Sequence, residues 1–316
     1  MNIGKQIVIK KSWIELSTVI FIAVIILLAL FSGQRDGFES AKFYNHFNDV
    51  IIGVDITYID ILYLIILGFI SGVVGGMLGM GGGVLKVSNL HLLFGYEMVF
   101  ARAVSLLSYV VISISAFFRY RRYNLILWNV VKMLVPSAIL GALIGVILGN
   151  YFSERLIEIL LGLYALFSGI VVLNQVWTKP FEKEIELLPK EAINEAAVSG
   201  IGIGMGFMSS IIGISGGVLS TPLQQSILKI PLKNSIANSV TTAIFCSFTA
   251  SVLIMWTSLH SGYFTFSKVL LTTLCLIPGN IIGGQVGSYL TIRLSINYVR
   301  VSFAIVAFII GFKILV

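Results

Sequence analysis

Two short stretches of the sequence gather groups that could hold a small anion. "GMGGGVLK" carries Gly81, Gly82, Gly83 and then Lys86, with Ser105 further along. "GISGGVLST" carries Ser215, Gly216 and Gly217, with Asn238, Ser239 and Thr241 further along. Glycines let a ligand approach backbone N–H groups closely, hydroxyls and amides donate to oxyanion oxygens, and an ammonium adds charge. Such a set binds rather than reacts. An enzyme would need a nucleophile with its base, or paired carboxylates, and the histidines at 46, 91 and 260 lack acids at plausible spacing. Cys246 and Cys275 lie in apolar runs without a CxxC pattern, so neither a metal nor another cofactor is expected. "GMGGGVLKV" lacks the Gly-Lys-Ser/Thr ending of a phosphate loop.

Competing roles exist for the same residues. A Ser or Thr hydroxyl inside a helix can bond the carbonyl one turn back, and glycines can serve close helix crossing alone. Lys86 is the better anion partner of the two central cations, and Ser220 occupies its matching position in the second stretch. Arg102 is expected to snorkel toward headgroups. Asn280 and Gln285 are expected to hydrogen-bond between helices, and Cys246 to pack in the core.

These residues must be positioned by membrane helices. Of 316 residues, 57% are hydrophobic and 11% charged, against about 25% charged in an ordinary globular domain. Apolar runs of about 20 residues, enough to cross a bilayer core, recur at 13–31, 57–80, 99–118, 126–149, 155–176, 195–214, 235–257, 266–290 and 296–315, with shorter ones at 84–95 and 217–229. The first follows Lys5, Lys10 and Lys11 and reads as an uncleaved transmembrane helix, a cleaved signal being the alternative. The net charge of +7 reflects basic residues flanking spans, not a nucleic-acid partner.

Matching residues indicate a duplication. Gly79/Gly213, Gly82/Gly216, Gly83/Gly217 and Ser105/Ser239 stand 134 apart, while Pro136/Pro278, Gly141/Gly283 and Gly145/Gly287 stand 142 apart. An eight-residue insertion near "TSLHSGYF" accounts for the difference. The expected fold is an all-α integral membrane protein with two homologous four-element repeats, inverted relative to each other. Residues 1–56 form an extra N-terminal transmembrane helix and polar loop, 57–176 repeat 1, 177–194 a linker and 195–316 repeat 2. The Gly141-x-x-x-Gly145 and Gly283-x-x-x-Gly287 pairs suit close helix packing.

Irregular backbone at membrane depth appears only where it is buried or lines a wet cavity. Helices broken at corresponding places in two repeats point to a transporter binding site, with half-helix N-termini facing the substrate. If each glycine segment is a re-entrant hairpin, Arg119, Arg121 and Arg122 fall in the cytoplasm, as does the N-terminus. Full crossing by those segments would reverse that, and 57–80 is long enough to span alone.

The double pattern resembles the sulfite exporter family TauE/SafE. "GFISGVVGGMLGMGGG" with "ARAVSL", and "GFMSSIIGISGG" with "SIANSV", match the family's repeated motifs, and "RYRRYN" matches its basic segment. The resemblance covers residues 57–316 and departs at Ser88, Val104 and Asn238. It implies a secondary exporter of sulfite or another sulfur oxyanion or organosulfonate, working by alternating access in the plasma or inner membrane. An anion channel and a transporter of a small carboxylate are the alternatives. Expected partners are a small anionic solute and membrane lipid, with a homodimer left open.

Overall fold

A computed structural model describes residues 58–79, 82–178, 194–261, 266–293 and 297–315. The expected first helix, its loop, linker residues 179–193 and Gly81 lie outside the described residues. Within them the chain forms ten helices and no strand. They are α1 (Tyr58–Leu78), α2 (Gly83–Leu92), α3 (Met98–Arg122), α4 (Trp128–Gly149) and α5 (Glu154–Thr178), then α6 (Glu195–Ile212), α7 (Gly217–Ser226), α8 (Leu232–Ser261), α9 (Phe266–Arg293) and α10 (Asn297–Leu315). Six of them, α1, α3, α4, α6, α8 and α9, are long and apolar enough to cross a membrane. Exposed Leu140, Ile144 and Ile147 on α4, and Ile281 and Ile282 on α9, offer apolar surface of the kind lipid tails cover.

Local chemistry sets the ends that matter. Asn194 caps α6, its side chain accepting from the Ala197 N–H at 3.2 Å. Gly79 and Gly213 take left-handed backbone, φ 65° and 79°, a conformation that costs other residues about 1–2 kcal/mol. Each therefore stops a long helix, and a ten-residue helix starts a few residues later. The break stands where the glycines are.

Contacts fix the direction of each helix. α1 lies along α9, with Gly68 near Leu276, Gly72 near Gly283 and Gly76 near Gly284. α3 follows α9 in the same sense, from Ser108 beside Asn280 to Tyr120 beside Thr291. α1, α3 and α9 thus run together. α4 and α6 likewise run together, with Gly202 against Leu134 and Phe207 against Gly145, and α8 starts beside the start of α4, where Asn238 accepts from Leu127 N–H at 2.9 Å. The end of α4 returns to the start of α3, since Gly149 adjoins the Arg102 guanidinium. The two trios are antiparallel. Because α1 and α3 share a direction, the chain carrying α2 must come back toward the side where α1 began.

The glycine pairs at 141/145 and 283/287 are packing points. A methyl group on Gly141 would overlap the Ile203 carbonyl, and one on Gly287 the Val73 carbonyl. The spacing difference of eight is helical: α8 has 30 residues where α3 has 25, and Pro278 sits deeper in α9 than Pro136 does in α4. α5 and α10 pack chiefly on each other, through Gly162 and Gly169 on one and Gly311 and Ala304 on the other.

Candidate functional site

The two chain breaks meet. A methyl group on Gly83 would stand 2.8 Å from the Ile214 α-carbon, and the Ser215 hydroxyl donates to the Gly79 carbonyl at 3.5 Å. Tyr109, on α3, reaches the same carbonyl at 3.5 Å. The N-terminus of α2 is therefore held against the backbone of the break that precedes α7. Gly82 and Gly216 are the N-cap residues of the two short helices, and a side chain on either would overlap the backbone of Ser71 or Met205. Those two glycines seat the half-helices on α1 and α6. The Gly217 N–H donates to the Ser215 hydroxyl at 3.3 Å, so one N-terminal donor of α7 is already met.

Lys86 lies one turn into α2 and is wholly buried. Its ammonium donates to the Ser108 hydroxyl at 2.6 Å and lies 3.5 Å from the Ser105 carbonyl, with the Tyr109 ring centre 5.8 Å away. Its polar partners are neutral: none of the ion pairs among the described residues includes it. The Ser105 hydroxyl and the Asn280 carbonyl oxygen are buried without a partner, and Asn280 donates to the Ser108 carbonyl at 3.2 Å. This is the cationic half of the candidate site.

The matching half, between α7 and α8, is neutral. Ser239 donates to Ser220 at 3.0 Å and accepts from Thr221 at 3.2 Å and from Gln224 at 3.1 Å. Gln224 also donates to Ser220 at 2.8 Å and accepts from Asn238 at 3.0 Å. All five are buried. The structure therefore brings Asn238 and Ser239 together, whereas the Thr241 hydroxyl donates to the Ala237 carbonyl, one turn back, at 2.7 Å. Ser220, Thr221 and Gln224 went unremarked as ligands in the sequence, although polar residues at 220 and 224 share a helix face. Tyr109 and Ser108 were likewise missed, for they read as ordinary span residues.

Arg102 does not snorkel. It is wholly buried and donates to the Ser210 carbonyl at 2.7 Å, beside Gly213. A cation at the end of α6 meets the unpaired carbonyls there, which favours it; this corrects the headgroup expectation. Asn280 and Gln285 do bridge helices. Gln285 donates to the Ser115 carbonyl at 2.5 Å and accepts from Arg119 at 2.9 Å.

The family model described as "Sulfite exporter TauE/SafE" matches residues 64–314. A protein named "Probable membrane transporter protein MamO" from Paramagnetospirillum magneticum is 32% identical over 283 residues, covering 81% of this chain and 44% of that one. The protein of the same name from Magnetospirillum gryphiswaldense is 33% identical over 283 residues, at 81% and 45% coverage. This chain thus spans under half the length of those two relatives. "Probable membrane transporter protein YunE" of Bacillus subtilis is 24% identical over 266 residues, covering 78% of this chain and 94% of its own. No solved structure matches.

Proposed function

The chain belongs to the TauE/SafE sulfite exporter family, a multi-pass membrane transporter family, and on that premise we propose a secondary exporter of a small anion, most simply sulfite or another sulfur oxyanion or organosulfonate. The observation that carries the reading is Lys86, a buried cation one turn inside the half-helix α2, with neutral partners only. Burying an unpaired charge is costly, and a cation inside the membrane marks a solute pathway by default. An anion seated between Lys86 and the half-helix N-termini would offset that cost. The hydroxyl and amide cluster of Ser220, Gln224, Asn238 and Ser239 supplies donors from the other half.

The halves are proposed as inverted repeats, supported by the matched order of helices, the crossed pairing of α1 with α9 and α6 with α4, and the opposite directions of the two trios. Alternating access would move one half against the other around this shared site. Burial of Lys86, Ser105, Ser215 and Ser239 suits an occluded carrier better than a standing pore.

Counterflow in proteoliposomes tests the reading, with labelled sulfite, sulfate, thiosulfate, sulfoacetate and acetate. Saturable exchange of at least one sulfur oxyanion is expected. Lys86→Gln removes a charge-assisted contact of about 1.5–3 kcal/mol, so half-saturation should rise by roughly ten- to a hundredfold. Unchanged half-saturation in Lys86→Gln would remove Lys86 from the site, and exchange of acetate alone would replace the substrate class.

A further inference from the structure

Arg102 is a second buried cation, and its charge is not spent on the fold. The side chain is wholly buried, and its Nη2 donates to the Ser210 carbonyl at 2.7 Å. Its Nε and Nη1 are buried with no partner, and none of the ion pairs among the described residues includes it. An arginine carries five N–H donors and a permanent charge. One neutral carbonyl meets little of that.

The matching place in the other half shows what the fold needs there. The spacing of 134 that pairs Gly79 with Gly213 also pairs Arg102 with Ile236 and Gly76 with Ser210. A methyl group on Gly213 would overlap the backbone and stem of Arg102, and one on Gly79 would press on Ile236. Arg102 and Ile236 thus fill the same place, each against the glycine that ends a long helix. The counterpart of the Ser210 carbonyl is that of Gly76, which accepts from the Tyr120 hydroxyl. An isoleucine does the packing in one half, and a neutral hydroxyl meets the carbonyl. Neither task calls for a charge. A cation inside a membrane is costly and marks a solute pathway by default.

We propose that Arg102 is a second anion-binding subsite, in series with Lys86 and nearer the end where α4 passes into α5. Gly149, the last residue of α4, places it: a methyl group there would stand 2.9 Å from Nη2. Ser105 and Ser108, which hold Lys86, lie one to two turns further along α3, about 4.5–9 Å at the helical rise. Arg102 and Ser105, three residues apart, share a side of that helix, and the Ser105 hydroxyl is buried without a partner. An oxyanion leaving Lys86 passes that hydroxyl on its way to the guanidinium. Whichever Nη2 hydrogen Ser210 takes, one edge of the guanidinium keeps two parallel N–H groups, which suit two oxygens of a sulfite or sulfonate. Both cations are buried, so each subsite opens to water only as the halves move. The subsite rests on the transporter reading above.

Half-saturation of counterflow from each side tests it, in right-side-out and everted membrane vesicles, with labelled sulfite and the other four anions named above. Labelling of Tyr151→Cys, just beyond α4, identifies the vesicles that present the α4–α5 end. Arg102→Gln keeps a donor for Ser210 and removes the charge. It should raise half-saturation roughly ten- to a hundredfold for anion offered from the α4–α5 side and change it little from the other, whereas Lys86→Gln raises both. Arg102→Lys keeps the charge without the fork and should recover part of the loss. Arg102→Ile copies the other half, and should unfold in detergent near the wild-type temperature with the same one-sided loss. Unchanged half-saturation in Arg102→Gln overturns the subsite, whatever its unfolding temperature. An equal rise from both sides overturns the series and puts Arg102 in the Lys86 site. Wild type that exchanges none of the five anions overturns the transporter reading, and the subsite with it.

Discussion

Lys86 carries a conflict between stability and function. Its ammonium is buried, with the Ser108 hydroxyl as its one close donor–acceptor contact, and Ser108 keeps a second bond, to the Ser105 carbonyl at 3.0 Å. Replacing Lys86 by methionine removes a buried charge without stranding Ser108. Replacement of buried ionic groups by apolar ones of similar volume is often neutral or stabilising, by about 1–4 kcal/mol. Lys86→Met should therefore unfold at the same or a higher temperature than wild type in detergent, and lose counterflow. A large drop in unfolding temperature would mean that the ammonium holds the fold instead. Lys86 stood out in the sequence because a charge three residues beyond a glycine cluster is unexpected in an apolar run. Gln224 did not, since neutral polar residues are common there and its partner Asn238 arrives from another helix. Arg102 was misread for a related reason: distance along the chain to a span end says nothing about the carbonyls of α6 that surround it.

At the scale of elements, glycines within a few residues of each other do different work. On α6, a methyl group on Gly206 would overlap the Ala138 carbonyl of α4, whereas one on Gly204 would meet nothing within 4 Å. Gly206→Ala forces the helices apart and should cost about 1–3 kcal/mol. Gly204→Ala adds helix propensity worth up to about 1 kcal/mol and should hold or raise the unfolding temperature. Equal effects from both would show that α4 and α6 do not pack as described. The helix ends were legible from length, flanking charges and glycine, and ten of the eleven expected runs coincide with helices to within a few residues; the eleventh lies outside the described residues. What the sequence left open was direction. Whether α1 and α2 make a hairpin depends on α1 and α3 both lying along α9, some 170 residues away from α3 at Ser115 and Gln285, and no local pattern encodes that.

Across the whole molecule, the antiparallel trios sort the charges. The end where α3 passes into α4 carries Arg121 and Arg122, and α8 starts there with Lys233, its Asn234 donating to the Leu125 carbonyl at 2.9 Å. α9 also finishes toward that end, with Arg293. The opposite end, where α4 passes into α5, holds Glu97, Glu154, Arg155 and Glu158. Positive residues favour the cytoplasmic side, so the proposed orientation puts the α3–α4 turn inside and the α4–α5 end outside. Tyr123 and Tyr151 flank α4 at its two ends and are 45% and 83% exposed. With Cys246 and Cys275 replaced by alanine, Tyr123→Cys should react with an impermeant maleimide only after the cells are opened, and Tyr151→Cys in intact cells. The reverse pattern would invert the molecule. Labelling of both from one side would break the antiparallel arrangement itself, because a helix of 22 residues that crosses the membrane must deliver its ends to different waters.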